Sequence, residues 1–222
     1  MAANECFLDS STLRENVVSL ARNIGYVPRS RRSSRARISF NISEITETVT
    51  ATVRAGIICN GSAANTSYIF SIPEDITVPV VDGVAVFDNI EIYEGTLINQ
   101  NFTVNTSQFN QRYILSNSFI DTSTIRVKVK PDESSSSTVT YQQIDNVVGV
   151  TSTSSSYLLQ EIEDERYELI FGDNVIGKKL SNDNYITVSY IITSGKDGNG
   201  ASEFSFVGNI IDQDGATIDA SN

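Results

Sequence analysis

From Ala36 onward, apolar residues recur at every second position in a long series of short runs. "ARISFNI" puts Ile38, Phe40 and Ile42 in phase, "TVTATV" (residues 48–53) does the same with Val49, Ala51 and Val53, and "NYITVSYIIT" with Ile186, Val188, Tyr190 and Ile192. Successive side chains of a strand point to opposite faces, so a period of two marks a strand with one buried face, which a helical period of about 3.6 cannot produce. "TSYIFSI", "ITVPVV", "VDGVAVF", "NIEIYEG", "LINQNFTV", "RYILS", "TIRVKVK", "STVTYQQI", "YLLQEI" and "YELIF" extend the series. Asp82-Gly83 and Asp214-Gly215 read as hairpin turns, because both residue types tolerate positive φ. The pattern predicts a mainly β chain of short-stranded antiparallel β-domains, sandwich- or barrel-like.

The period changes only near the start. "TLRENVVSLARNIGY" spaces Leu13, Val17, Leu20, Ala21 and Ile24 as one helical stripe. Thr12 and Glu15 have the spacing of a capping box, and Gly25 and Pro28 end the segment. The expected order is therefore an N-terminal α-helix and basic arm over 1–37, a first β-domain over 38–120, a second over 121–208, and over 209–222 the start of a segment that continues elsewhere. The opening "MAANECFL" likewise reads as a cut through a longer protein. The serine-rich tracts "ESSSSTV" and "TSTSSSY" read as loops with little capacity to pack.

Composition removes several chemistries. The chain has no His, which excludes Ser-His-Asp and Cys-His dyads and imidazole metal sites. Its two cysteines, Cys6 and Cys59, are expected to be buried small hydrophobes rather than a disulfide. No cationic segment followed by an apolar one opens the chain, and no apolar run reaches the length of a membrane span, so a cytosolic origin and no membrane partner are expected. The formal charge of −11 is unevenly spread. Residues 1–37 hold seven Arg against three acids (7 − 3 = +4), and the remainder carries 9 − 24 = −15. A basic head on an acidic body suits docking between protein surfaces and argues against nucleic-acid binding.

Four stretches invite a chemical reading. "LIFGDNVIGKKL" holds Gly172, Gly177 and Lys178 at phosphate-loop spacing, with Lys179 where the metal-binding Ser or Thr belongs. A strand pattern follows it where a phosphate loop needs a helix, so the residues read as a turn, with Lys178 and Lys179 facing solvent or an acidic partner. "DQDG" and "SGKDGNGAS" carry Asp and Asn near Gly but lack the ordered ligand set of a calcium loop, and read as turns. Glu161, Glu163 and Glu165 read as solvated edge charge, on one strand face or scattered over a turn. "RSRRSSRAR" (Arg29, Arg31, Arg32, Arg35 and Arg37) is either a solvated linker or an arm that pairs with carboxylates. No cofactor, metal or small-molecule substrate is expected, and no constellation supports an enzyme.

Taken together, "YLLQEIEDERYELIFGDNVIGKKLSNDNYITVSYIITSGKDGNGASEFSF", the helix and "GY-P" step leading into "RISF", and "GVAVFDNIEIYEGTLINQNFTV" with "RYILSNSFIDTSTIRVKV" resemble baseplate-J-like proteins of contractile phage tails, above all the wedge subunits of T-even-type phages. The family motif is approximately F-G-D-G-x-x-G, matched by Phe171, Gly172, Asp173 and Gly177, with Asn174 in place of a glycine. The resemblance implies a structural virion protein of the tail baseplate, assembled in the host cytoplasm. Its partners would be other wedge proteins, and the full-length protein would form a homo-oligomer, a dimer. The alternative is an adhesin-like β-sandwich module at a bacterial surface. A nucleotide-binding enzyme is the third class.

Overall fold

The computed structural model describes residues 10–13, 16–18, 20, 30–46, 48–63 and 65–218. The chain is mainly β, as the period of two predicts, and its sheets are antiparallel apart from one short parallel pair. Of the expected helix, residues 16–18 and 20 are helical, and the Val17 amide donates to the Leu13 carbonyl at 3.1 Å. Among the described residues of this stretch Val18 is buried, while Leu13 of the expected stripe is half exposed. Glu15, Ala21, Ile24 and Arg29 lie outside the described residues.

The chain forms two compact units. One holds Met1–Arg31, Asn99–Ile120 and Arg126–Val188, the other Arg32–Ile98, Asp121–Ile125 and Ser189–Asn222. The expected succession of 38–120 and 121–208 follows the chain linearly. These units interleave instead, sharing with it the break between Ile120 and Asp121, because long strands contribute residues to both.

The second unit contains an eight-stranded sheet that closes nearly into a barrel. Its strands are β1 (Arg35–Ile42), β2 (Thr50–Val53), β3 (Gly56–Ala63), β4 (Thr66–Ile72), β5 (Ile76–Val81), β6 (Val84–Glu94), β14 (Ser202–Phe206) and β15 (Ile210–Ile211), in the order β14-β3-β4-β6-β5-β2-β15, with β1 beside β6. The strands at the two ends, β14 and β15, are one stretch of chain. Between them the Val207 amide donates to Ile58 at 2.9 Å, and the Arg54 amide donates to Asn209 at 3.0 Å. Phe40 stacks on Phe87 at 4.9 Å and meets Phe206 at 5.0 Å, over a core that includes Val53, Ile58, Phe70, Ile72 and Ile92. Asp82 and Gly83 turn β5 into β6 with φ of 51° and 76°, the two positive values of a tight hairpin.

Two features depart from the alternation. β3 was not expected, because a register shift between Ile57 and Cys59 buries Ile58 and Cys59 in succession and erases the period. Val49, expected in phase with Ala51 and Val53, precedes β2 and is exposed, while the other two are fully buried. Cys59 is a free thiol that burial pushes up to about 11, the small hydrophobe expected of it; Cys6 lies outside the described residues.

The other sheet has seven strands: β7 (Thr96–Thr103), β8 (Tyr113–Ile114), β9 (Ile120–Lys130), β10 (Val139–Gln143), β11 (Ser156–Glu161), β12 (Tyr167–Phe171) and β13 (Tyr185–Ile192). Their order is β7-β13-β9-β10-β11-β12-β8. Side chains join its two end strands. The Gln100 amide nitrogen donates to the Ile114 carbonyl at 3.0 Å, and its oxygen accepts from the Ser116 amide at 2.9 Å. Phe102 and Tyr113 meet edge to face across the same gap at 5.6 Å. Beside them Arg112 forks onto Glu168 at 2.8 and 2.6 Å, fixing the two-residue β8 to β12.

Gln100 thus replaces a missing backbone ladder. Gln100→Ala is expected to destabilise the protein by about 1–2 kcal/mol, because it leaves the half-buried Ile114 carbonyl without its donor and removes the acceptor of the exposed Ser116 amide. Gln100→Glu, which keeps only the acceptor, should fall between. Urea unfolding reads this as a shifted midpoint at constant slope, and an unmoved midpoint for the alanine variant would show that the strand ends hold without the side chain.

Candidate functional site

The turn after β12 is built from its own polar atoms. Asp173 Oδ1 accepts the Val175 and Ile176 amides, both at 2.9 Å, and Asn174 Oδ1 accepts the Lys179 amide at 2.9 Å. The Asn174 amide donates to the Gly177 carbonyl at 3.0 Å, Gly177 to Thr151 at 3.1 Å and Lys178 to Ser154 at 2.9 Å. Every amide from Asn174 to Lys179 is therefore committed to a protein acceptor. A phosphate loop needs those amides free to wrap an anion, and it needs a helix to follow. Here Tyr185–Ile192 is a strand.

The glycines serve contact between backbones. A Cβ on Gly172 would lie 2.2 Å from the Gly177 carbonyl carbon, so only glycine lets the two limbs of the loop touch. Asn174 sits at φ 73°, the left-handed position in which Asn is the best substitute for glycine. The serine-rich tract before β11 was expected to pack little. It is instead the platform for this turn, through the carbonyls of Thr151 and Ser154, and is itself braced by the Thr151 amide on Ser154 Oγ at 3.0 Å. Phe171 anchors the other limb among Tyr113, Tyr141 and Tyr157, at ring distances of 5.3, 5.7 and 6.2 Å. Val175, Ile176, Lys178 and Lys179 are exposed.

The arginine arm is neither a linker nor a free arm over its described length. Ser33 and Ser34 are buried. The Ser33 amide donates to Asp121 Oδ2 at 2.9 Å, and Ser34 donates to the Gly195 carbonyl through both its amide (3.1 Å) and its hydroxyl (2.8 Å). Arg35 and Arg37 already belong to β1. Arg31 lies over the Phe119 ring at 4.0 Å, a cation–π contact. Arg35 covers Tyr93 at 4.9 Å, reaches Glu91 at 3.8 Å and donates to Ser123 Oγ at 2.9 Å, while Arg32 and Arg37 are exposed.

The serines belong to a buried polar network that the sequence did not suggest. Glu94 Oε2 accepts from Thr193 Oγ1 at 2.6 Å and from the Ser194 amide at 3.0 Å, and the Glu94 amide donates to Ser34 at 2.8 Å. Asp121 Oδ1 accepts the Ser123 amide and hydroxyl at 3.0 and 2.6 Å. Its only sequence signal is a pair of small polar residues between arginines. In "DQDG", Asp212 Oδ1 accepts the Asp214 and Ala216 amides at 2.9 and 2.8 Å, which is turn chemistry. Residues Gly195–Gly198 of the other glycine-rich stretch form a 3-10 turn. Glu163 and Glu165 occupy a short 3-10 turn, but Glu161 is buried at the end of β11 and is not the solvated edge charge expected. Among the described residues no group of three or more Cys, Asp or Glu side chains is placed to hold a metal ion.

No protein-family model matches the chain, and no curated protein matches it.

The backbone donor at Ile176, and next that at Val175, hold the Asp173 carboxyl below its ordinary value of 3.8, with a smaller contribution from Lys179. A depressed folded pKa stabilises the turn above the unfolded value, and the contribution disappears as pH falls through the folded one. Protection factors for amide exchange at Val175 and Ile176 are expected to hold down to pH values below about 3.8 and then fall, and Asp173→Asn should flatten that dependence. Gly172→Ala should cost about 2 kcal/mol or more, because backbone must move to admit the methyl. Asn174→Gly keeps the left-handed backbone but removes the acceptor of the Lys179 amide, and should cost about 0.5–1.5 kcal/mol.

Proposed function

We propose that the chain is a structural component of a contractile phage tail baseplate, a wedge-type subunit that works by protein–protein contact without catalysis. The observation that carries this reading is the closed turn at Phe171–Lys179. The segment most like the baseplate-J-like motif is held by six committed amides, yet it presents Val175 (73% exposed) and Ile176 (44%) to solvent beside two lysines. A turn needed only to reverse the chain would favour polar residues at its tip. Rigid aliphatic side chains flanked by cations suit a partner surface that is apolar with an acidic rim. Arg31, Arg32, Arg35 and Arg37 supply a second cationic contact, and Arg29 belongs to the same arm. The partners in this reading are other baseplate wedge proteins, with a dimer of the full-length protein, in a virion assembled in the host cytoplasm.

Cross-linking from positions 178, 179 and 37 within assembled wedges tests the reading. Adducts to neighbouring tail proteins are expected, and their absence at all three positions overturns the assigned contacts. Lys178→Glu with Lys179→Glu should leave unfolding within about 0.5 kcal/mol of the parent, as exposed substitutions do, while reducing incorporation into wedges. Saturable thermal stabilisation by Mg-ATP would instead favour the nucleotide-enzyme class.

A further inference from the structure

We propose that the outer edge of β1 accepts an extended segment of a partner protein as an added strand, with acidic side chains at alternate positions. This deepens the contact reading of the arginine arm, and rests on it only in taking Arg35 and Arg37 to face a partner.

β1 is eight residues long and pairs with β6 alone, from Arg35↔Tyr93 to Ile42↔Ala85. Among the described residues, no backbone bond joins residues 35–42 to anything else. The neighbouring irregularity is on β6, where Asn89 takes φ 54°, so β1 itself runs unbroken. The other strand ends are closed or blunted. β7 is bridged to β8 by Gln100, β8 and β15 have two residues each, and β14 is broken at Glu203, whose φ is 56°. A long regular edge presents a row of unpaired N–H and C=O groups, the template for strand addition.

The side chains specify the occupant. Arg35, Arg37, Ser39 and Asn41 lie on the exposed face of β1, and Ala36, Ile38 and Phe40 are only partly buried against the core. A strand laid on this edge would put its residues directly opposite these, where opposite charges attract and like charges repel. Arg35 is already held by Glu91 and Tyr93, whereas Arg37 is exposed and makes none of the described ion pairs. Acids two residues apart would face the two arginines, and the intervening side chains, turned inward, would be apolar to complete the cover over Ala36 and Ile38.

The test uses the full chain and a fluorescein-labelled peptide of alternating Glu and Val, matched to the eight residues of β1. Fluorescence anisotropy should rise saturably at low salt. Replacing Glu by Lys in the peptide should weaken binding by about tenfold, roughly 1.4 kcal/mol, and Arg37→Glu, at an exposed position, should reverse the preference. A fully N-methylated peptide, which has no backbone donors, should not bind. No saturable rise, or equal binding of the N-methylated form, overturns strand addition. A preference unmoved by Arg37→Glu, with circular dichroism unchanged, overturns the acidic partner. Either failure leaves the cross-linking test of the baseplate reading untouched.

Discussion

A chain folded into short strands has to satisfy many strand ends, and unpaired backbone groups are the constraint on which the rest of this structure depends. The near-barrel of the second unit meets it with backbone along the path from β14 to β15, since these two are one stretch that pairs with β3 at one end and β2 at the other, and leaves β1 off that path. The seven-stranded sheet cannot do this, because β8 is only two residues long. It substitutes the side-chain amide of Gln100, which offers the same donor and acceptor as a peptide group. β1 is the long edge left over.

The same accounting separates the Phe171–Lys179 turn from the nucleotide site it resembles in spelling. In both, glycines permit close approach of backbone. In a phosphate loop the approaching group is the anion. Here it is the other limb of the loop, and the amides that would bind a ligand are spent on Asp173, Asn174, Gly177, Thr151 and Ser154. A missing Ser or Thr at position 179 is then no defect, because nothing in the loop holds a phosphate for a metal to bridge.

What was legible in the sequence follows from the range of each interaction. Alternation is local, so the strands from β1 to β13 other than β3 were readable, as was the Asp82-Gly83 hairpin, whereas β14, broken at Glu203, and the two-residue β15 are too short to show a period. β3 was not, because its bulge puts Ile58 and Cys59 both inward and the period fails where the strand bends. Asn174 and the two glycines identified a turn, but the acceptors for Gly177 and Lys178 come from a serine tract whose composition says only "loop". The arginine arm was the least legible. Ser33 meets a carboxylate 88 residues away, and Ser34 a carbonyl 161 residues away. Two serines between arginines give no hint of either.

That long-range anchoring bears on what the arm can do. Ser33 and Ser34 are fixed by Asp121, Gly195 and the Glu94 amide immediately before β1 begins, so Arg35 and Arg37 enter the strand from a rigid base. A flexible basic arm would lose conformational freedom on docking, at about 0.5–1.5 kcal/mol for each long side chain immobilised. With its backbone ordered in advance and Arg35 held by Glu91 and Tyr93, the share of that loss due to the backbone and to Arg35 has already been met in folding, and the Arg37 side chain remains to be ordered. The Lys178–Lys179 turn follows the same logic, with six amides fixed before any partner arrives. In the baseplate reading proposed above, two cationic elements, each on a prearranged backbone, would suit a part that holds its neighbours in register better than one that must search for them.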